Sequence, residues 1–539
     1  MRLERIEISG FRGIKRLSLS FDELTTLIGE NTWGKSSLLD ALSLALPADG
    51  SLYQFEMTDF HVDYAISHPQ TQHLQIVLCF KAQDKQEVNA GRYRRIKPTW
   101  CVNADNENVI YYRLSATRDG HHITTKYAFL DCDGEPKQLH HSEKLAIELM
   151  TLHPVIRLRD SRRFPQPNHI NGENKNARIE KRINNTCRRL FAMPAMIKAK
   201  YEVVTRCKPS ITLPSEAKKG NPRKPRDGLF YASPSSDKGL PQFLKETNNK
   251  QSRLLLMGLL NAYLQAKGPT DLRRCARPIL IIEDPEGRLH PTHLSRAWSL
   301  LQLLPMQKIL TTNSARLLGS VPLASIRRLM RLSDRTIAKS LNTNRFSVDQ
   351  LRRIGFHIRF HRAGALFARC WLLVEGETEV WLFNELARQC GYDLAAEGVQ
   401  IVEFAQSGLK SLVKVAKEFG IDWHVVTDGD PAGKKYAHTV RAHLENDQER
   451  HRLTELPDRD IEHFLYNNGF ELFFKDIIKV PHDHPMPAKK VVSRVLKKQA
   501  KPDLALAIVA NCEERGMECI PVLLRWTLKR VVTMANGNT

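Results

Sequence analysis

Cysteine occurs ten times in 539 residues, always singly and never as a Cys-x-x-Cys pair. That pattern argues against a zinc ribbon and against a disulfide scaffold. No apolar run approaches the length of a membrane span. The opening Met1-Arg2-Leu3-Glu4-Arg5 places charge where a secretory leader needs its apolar core, so a reducing, cytoplasmic setting is expected. Acid is also short: 59 Asp and Glu stand against 81 Lys and Arg, a formal charge of +22. This surplus favours a polyanionic partner, nucleic acid before membrane, with a merely solvated basic surface as the alternative. Apolar residues are plentiful at 42%, enough for roughly two to four cored domains in a chain of this length.

Strand-like runs open the chain. Leu3, Ile6 and Ile8 lead through Ser9-Gly10 to Phe11-Arg12-Gly13-Ile14, and Leu17, Leu19 and Phe21 alternate with polar residues as a second strand. A third, Leu24 to Ile28, runs into Gly29-Glu30-Asn31-Thr32-Trp33-Gly34-Lys35-Ser36-Ser37, with a leucine-rich helix from Leu38 to Leu46 behind it. This is the phosphate-binding loop pattern in its required strand–loop–helix context. Backbone N–H groups around Asn31, Gly34 and Ser37 would close on phosphates, Lys35 would reach the β and γ phosphates, and Ser36 would hold Mg²⁺. The loop's partner is an apolar strand ending in acid, Ile279 to Glu283, followed by Asp284-Pro285-Glu286-Gly287-Arg288-Leu289-His290-Pro291. Glu283 would reach the Mg²⁺ through water, and Asp284 would orient the attacking water. A further strand, Lys308 to Thr311, ends near Asn313, where a γ-phosphate sensor could sit.

About 250 residues separate loop from acidic strand, more than a compact nucleotide domain needs, so an insertion is expected. Strand-like runs occupy Gln75 to Phe80, Val109 to Leu114 and Thr124 to Leu130; from His141 to Tyr201 the chain reads as helical and basic. Lys208 to Lys238, rich in Pro, Ser, Lys and Gly, reads as a linker or mobile loop that either contacts phosphate backbone or is simply solvated. A basic bridge from Arg327 to Arg369 leads into the last third.

Two acidic turns carry the chemistry there. Trp371 to Val374 stops in Glu375-Gly376-Glu377-Thr378-Glu379 and a helix to Gln389; Trp423 to Thr427 stops in Asp428-Gly429-Asp430 and a charged helix, Lys434 to Arg452. In a parallel sheet alternating with helices, both turns fall at carboxyl ends of strands and should converge. Clustered carboxylates repel unless cations sit among them, and hard oxygen ligands suit Mg²⁺ or Mn²⁺. Downstream, Asp460 and Glu462 are either ligands of a second metal or capping acids, and Lys501, opening a late helix, either pairs with a phosphate oxygen or is an ordinary surface lysine.

The pair Val374 to Glu379 with Asp428-Gly429-Asp430 resembles the Toprim motif of topoisomerases, primases and some nucleases. Together with Gly29 to Ser37 and Ile279 to Pro291, the layout resembles the OLD (overcoming lysogenization defect) family of ATP-dependent endonucleases, in its stand-alone bacterial branch. That resemblance implies an α/β chain: an SMC-like, ABC-type ATPase over residues 1–365 with an insertion at about 141–250 used for dimerisation, then a Rossmann-like Toprim nuclease over 366–539. It implies ATP bound at Asn31, Gly34, Lys35, Ser36, Ser37, Glu283 and Asn313, with one metal ion at Ser36. It further implies two Mg²⁺ or Mn²⁺ ions at Glu375, Glu379, Asp428, Asp430, Asp460 and Glu462, with Glu375, Asp428, Asp430, Lys501 and Asp284 in catalysis. DNA and further copies of the chain would be the partners, in phage defence or DNA repair. Asn313 stands where many relatives have histidine, Glu283-Asp284 reverses the usual order, and the signature loop at Ser235 to Gly239 is degenerate. A non-cleaving, RecF-like, ATP-gated DNA clamp is the alternative.

Overall fold

In the computed structural model, residues 1–63, 71–158, 275–287, 306–356 and 362–537 are described, with isolated positions between 291 and 302 and at 358. The Lys208 to Lys238 segment, the Ser235 to Gly239 loop, most of the expected insertion and Arg288-Leu289-His290 lie outside them. Two compact units divide the chain, one of Met1–Asn313 with Arg331–Ala338, the other of Ser314–Met330 with Lys339–Thr539.

Alternation of apolar and polar residues gives the first unit an antiparallel sheet. Arg2–Phe11 pairs with Ile14–Ser20 on one side and His73–Lys81 on the other; Asn108–Asp119 and His122–Leu130 extend it. One face is buried and the other solvated, as alternation requires.

The second sheet of this unit contains continuous apolar runs, which fits parallel strands covered on both faces. Leu24–Ile28, Gln307–Thr311, Ile279–Glu283 and Val155–Leu158 lie side by side, all parallel. Every residue of Ile279–Glu283 is buried. Val155–Leu158 departs from the helical reading of His141 to Tyr201. The helix Ser142–Leu152 stops at His153, because Pro154 disfavours helical backbone before it, and β-branched Val155 and Ile156 continue as strand.

The other unit holds a four-stranded parallel sheet in the order Val399–Glu403, Cys370–Val374, Asp422–Thr427, Leu453–Glu455. The chain leaves the strand Cys370–Val374 toward one edge and returns on its other side, which opens a crevice beyond the carboxyl ends of Cys370–Val374 and Asp422–Thr427. The helices Glu377–Gln389, Lys501–Arg515 and Val522–Ala535 share one core through Leu382, Leu386, Leu504, Ile508, Leu524 and Leu528.

Two expectations change here. The basic bridge is not a free connection at its start: Arg328 is buried and donates to the carbonyls of Ala368, Phe419 and Gly420 at 2.9–3.1 Å. The charged helix Lys434 to Arg452 is two helices, Pro431–Arg441 and Glu449–Arg452. Between them Asp447 N–H turns back to the Leu444 carbonyl, with Glu445 in left-handed backbone at φ 52°.

Candidate functional site

The loop after Leu24–Ile28 wraps a cleft of about 180 Å³ lined by Asn31, Lys35, Ser36, Glu283, Asp284, Thr311 and Asn313. Gly34 makes the turn possible: it stands at φ 90°, and a Cβ there would lie 2.9 Å from Ile14 Cγ1. The helix Lys35–Ala45 then begins with its free N–H groups facing the cleft.

Lys35 is buried, and its ammonium donates to the Gly29 carbonyl at 2.6 Å and to Asn313 Oδ1 at 2.9 Å. Burial lowers its pKa, with Asp284 and Glu286 opposing. A desolvated cation held only by neutral oxygens, beside a helix N-terminus, suits an anionic phosphate. Asp284 occupies left-handed backbone at φ 41°, its N–H on the Thr311 carbonyl at 3.1 Å and its Oδ1 accepting from Thr311 Oγ1 at 3.1 Å. Such strain in a non-glycine residue concentrates where a side chain must be aimed.

Three features of this cleft differ from expectation. Ser37 does not line it; its hydroxyl accepts from Gly13 N–H at 3.3 Å. Glu283 lines it but is only 5% exposed, and Arg157 Nε donates to its Oε2 at 2.8 Å. Arg157 also pairs with Asp40, which pairs with Arg12, which pairs with Asp59, so a chain of alternating charges links Glu283 to Asp59. Glu286, given no role by sequence reasoning, accepts from Asn313 N–H at 2.6 Å while its Oε2 is buried without a partner. The Pro285 turn, which swings residue 286 back toward the strand end, is the signal that could have found it.

The crevice of the other unit gathers the remaining candidates. Glu375 follows directly on the buried strand Cys370–Val374, and Asp428 on Asp422–Thr427. Gly433 permits the second turn, since a Cβ there would sit 1.9 Å from the Asp428 carbonyl oxygen. Burial raises the Asp428 carboxyl to about 8, reinforced by the charges of Glu379, Glu375, Asp460 and Glu462. Burial likewise raises Glu375, with Asp430 and Glu379 adding to it and Lys501 opposing. Glu379 is raised by burial, partly offset by the backbone at its own position and at Gly376. These mutual effects bring Glu375, Glu379, Asp428, Asp430, Asp460, Glu462 and Lys501 into one neighbourhood.

Within it the acids are not equivalent. Asp430 Oδ1 accepts from Gly433 N–H at 2.7 Å and caps the helix Pro431–Arg441. Asp460 caps Ile461–Leu465 and accepts from His463 Nδ1 at 2.6 Å. Burial works against the Asp460 carboxylate, yet the His463 bonds outweigh it and its pKa falls. Glu462 is buried, its Oε1 2.9 Å from the Lys501 ammonium in an ion pair rather than an aligned hydrogen bond, and its Oε2 has no partner. Glu375 Oε2 is also buried and unpartnered. Burial acts to lower Lys501, but Glu462 prevails and raises it.

Unpartnered, desolvated carboxylate oxygens that raise one another's pKa fit hard divalent cations, and Lys501 opposes the rise at Glu375 and Glu379. Among the described residues, no group of three or more His, Cys, Asp or Glu side chains stands close enough together to hold a metal ion. The acids share a field without converging on one point, so ligation requires side-chain rotation.

Two family models match the chain: "Protein of unknown function (DUF2813)" over residues 1–365 and "Overcoming lysogenization defect protein-like, TOPRIM domain" over residues 366–430. "Uncharacterized protein YbjD" of Escherichia coli (strain K12) is 42% identical over 554 residues, covering 100% of both chains. Solved structures overlap loosely. The C-terminal region of the Burkholderia pseudomallei OLD protein is 17% identical and covers 32% of this chain and 100% of its own, at a TM-score of 0.26. The SMC head domain from Thermotoga maritima is 11% identical and covers 64% and 100%, at 0.32.

Proposed function

The chain belongs to the DUF2813 family and carries an OLD-like Toprim domain, and from that premise we propose that it is an ATP-binding, divalent-metal-dependent DNA endonuclease. The observation that carries this reading is the field of the acidic crevice, which lifts Asp428 to about 8 while Glu375 and Glu462 each keep a buried oxygen without a partner. A scaffold has no use for such an arrangement, since uncompensated buried charge destabilises it.

Glu375, Asp428 and Glu462 would hold the ions, with Glu379, Asp430 and Asp460 completing the set. Mg²⁺ or Mn²⁺ bound there would supply a deprotonated water and neutralise charge on the departing oxygen. Lys501, paired with Glu462, would exchange that partner for a non-bridging phosphate oxygen. In the phosphate-loop cleft, Lys35 would leave Gly29 and Asn313 for nucleotide phosphates, Ser36 and Glu283 would serve the accompanying ion, and Asp284 or Glu286 would orient water. Nucleotide binding between two copies of the ATPase portion would gate cleavage, in a soluble, cytoplasmic setting; among the described residues no helix is long and apolar enough to cross a membrane.

Incubating supercoiled, nicked and linear DNA with Mn²⁺ or Mg²⁺, with and without ATP, tests the reading. Metal-dependent cutting that disappears in Asp428→Asn, with ATP binding retained, is the expected result. Intact plasmid tightly retained by the protein would replace the nuclease with the non-cleaving clamp.

A further inference from the structure

The helix Val522–Ala535 carries Arg525, Lys529 and Arg530 and no acidic residue. Its inner face is firmly seated: Leu524, Leu528 and Val531 are buried, and Thr527 Oγ1 bonds Thr454 Oγ1 at 3.1 Å. On its outer face Val522 and Trp526 stand one turn apart, 46% and 61% exposed. One turn further lies Arg530, half-buried, and burial first and then the charge of Arg450 push its guanidinium below its ordinary range.

Several arginines of this unit have acids, although Arg328 and Arg515 bond carbonyl oxygens. Arg388 pairs with Glu385 and Glu513, Arg441 with Glu449 and Glu455, and Arg452 with Asp422 and Asp447. Arg450, Lys529 and Arg530 have no carboxylate within ion-pair distance among the described residues. Arg450 Nε instead faces His451 Nε2 at 3.2 Å. Lys529 and Arg530, without a carboxylate partner and one turn from an exposed indole, within the field of Arg450, call for an anion that also has a flat apolar face.

We propose that Val522, Trp526, Lys529 and Arg530, backed by Arg450, form a binding strip for single-stranded nucleic acid, with a base stacked on Trp526 and phosphates on Lys529, Arg530 and Arg450. Charge decides against a second copy of the chain, because a two-fold contact here would set arginine against arginine. Stacking decides against intact duplex, whose bases are not free to leave one another. The strip deepens the nuclease reading, on which it rests, by naming DNA with unpaired bases as the preferred substrate.

Binding of fluorescent oligothymidine and of a blunt duplex to the full chain, in EDTA so that nothing is cut, tests it. Trp526→Ala should weaken oligothymidine binding about tenfold or more, Trp526→Phe should restore most of it, and Lys529→Ala with Arg530→Ala should flatten the salt dependence. Duplex binding should change much less. Oligothymidine binding by Trp526→Ala within about twofold of the parent overturns the strip, as does a change in sedimentation showing that Trp526 joins two copies. If the parent fails to cut plasmid in Mn²⁺ while Trp526→Ala still loses oligothymidine, the nuclease reading falls and the strip stands.

Discussion

Replacing Asp428 by Asn should stabilise the metal-free protein, and by more as the pH rises. The folded carboxyl, at about 8, binds its proton far more tightly than the ordinary value of 3.8. Between these values the native state holds more protons than the unfolded chain, so stability declines as pH rises, the reverse of an ion-paired aspartate. Each pH unit in that window removes up to about 1.4 kcal/mol, a ceiling of about 4 kcal/mol between pH 5 and 8. Glu375 and Glu379 are raised as well and take part of the same proton, so about half of the ceiling, ~2 kcal/mol, is the expected gain for Asp428→Asn over that range. For a unit of this size that is a melting shift of roughly 4–8 °C. Thermal melts in EDTA at pH 5 and pH 8 read it directly, and Mn²⁺ should raise the parent's melting at pH 8 while doing little for the variant. A variant melting at or below the parent at pH 8 in EDTA would mean that Asp428 is solvated or ion-paired, and the argument for a cation site there would fail.

Lys35→Ala should abolish ATP binding, measured by calorimetry, and leave metal-dependent cleavage by the other unit intact when ATP is omitted. Arg157→Ala should destabilise the unit by removing an ion-pair partner of the buried Glu283, and Arg157→Ala with Glu283→Gln should recover part of the loss in a denaturant titration. Gly433→Ala should disrupt the second acidic turn, because its Cβ would overlap the Asp428 carbonyl; cleavage should vanish and native-state hydrogen exchange around residues 428–433 should accelerate.

Much of this architecture is legible in the chain because its strands announce themselves. Ile279–Glu283 and Cys370–Val374 are unbroken apolar runs that stop at acid, and their shortness marks them as strands buried on both faces rather than buried helix. The ordering rule for parallel sheets then predicts that Glu375 and Asp428 fall in one crevice, and they share its field, though the acids do not converge on one point. Arg157 on Glu283 is a different matter. The partners lie 126 residues apart, and nothing local to Val155–Leu158 distinguishes an arginine aimed at a buried acid from one facing water. The break at Leu444–Asp447 has a local signal in Asn446-Asp447, two turn-favouring residues that follow the left-handed Glu445.

For Asp460, metal ligand and capping acid were alternatives from sequence, and the geometry dissolves the choice. Asp430 and Asp460 each cap a helix, and Glu379 lies in the first turn of Glu377–Gln389, so several helix N-termini point into the crevice. Their partial positive charge makes the concentration of acid tolerable before any ion arrives. Capping also uses up oxygens: one of Asp430 and one of Asp460 are occupied by N–H donors, while Glu375 and Glu462 each keep a buried oxygen with no donor. The caps therefore fix where the crevice is, and of the uncapped acids Glu462 is met by Lys501 on one side while Glu375 keeps its buried oxygen unpartnered. If so, Asp460→Asn, which keeps the cap, should reduce metal affinity less than Glu462→Gln, which removes a charge that no backbone group offsets. Mn²⁺ titration of the two variants followed by calorimetry decides the matter, and equal losses would show that cap and ligand cannot be separated at this site.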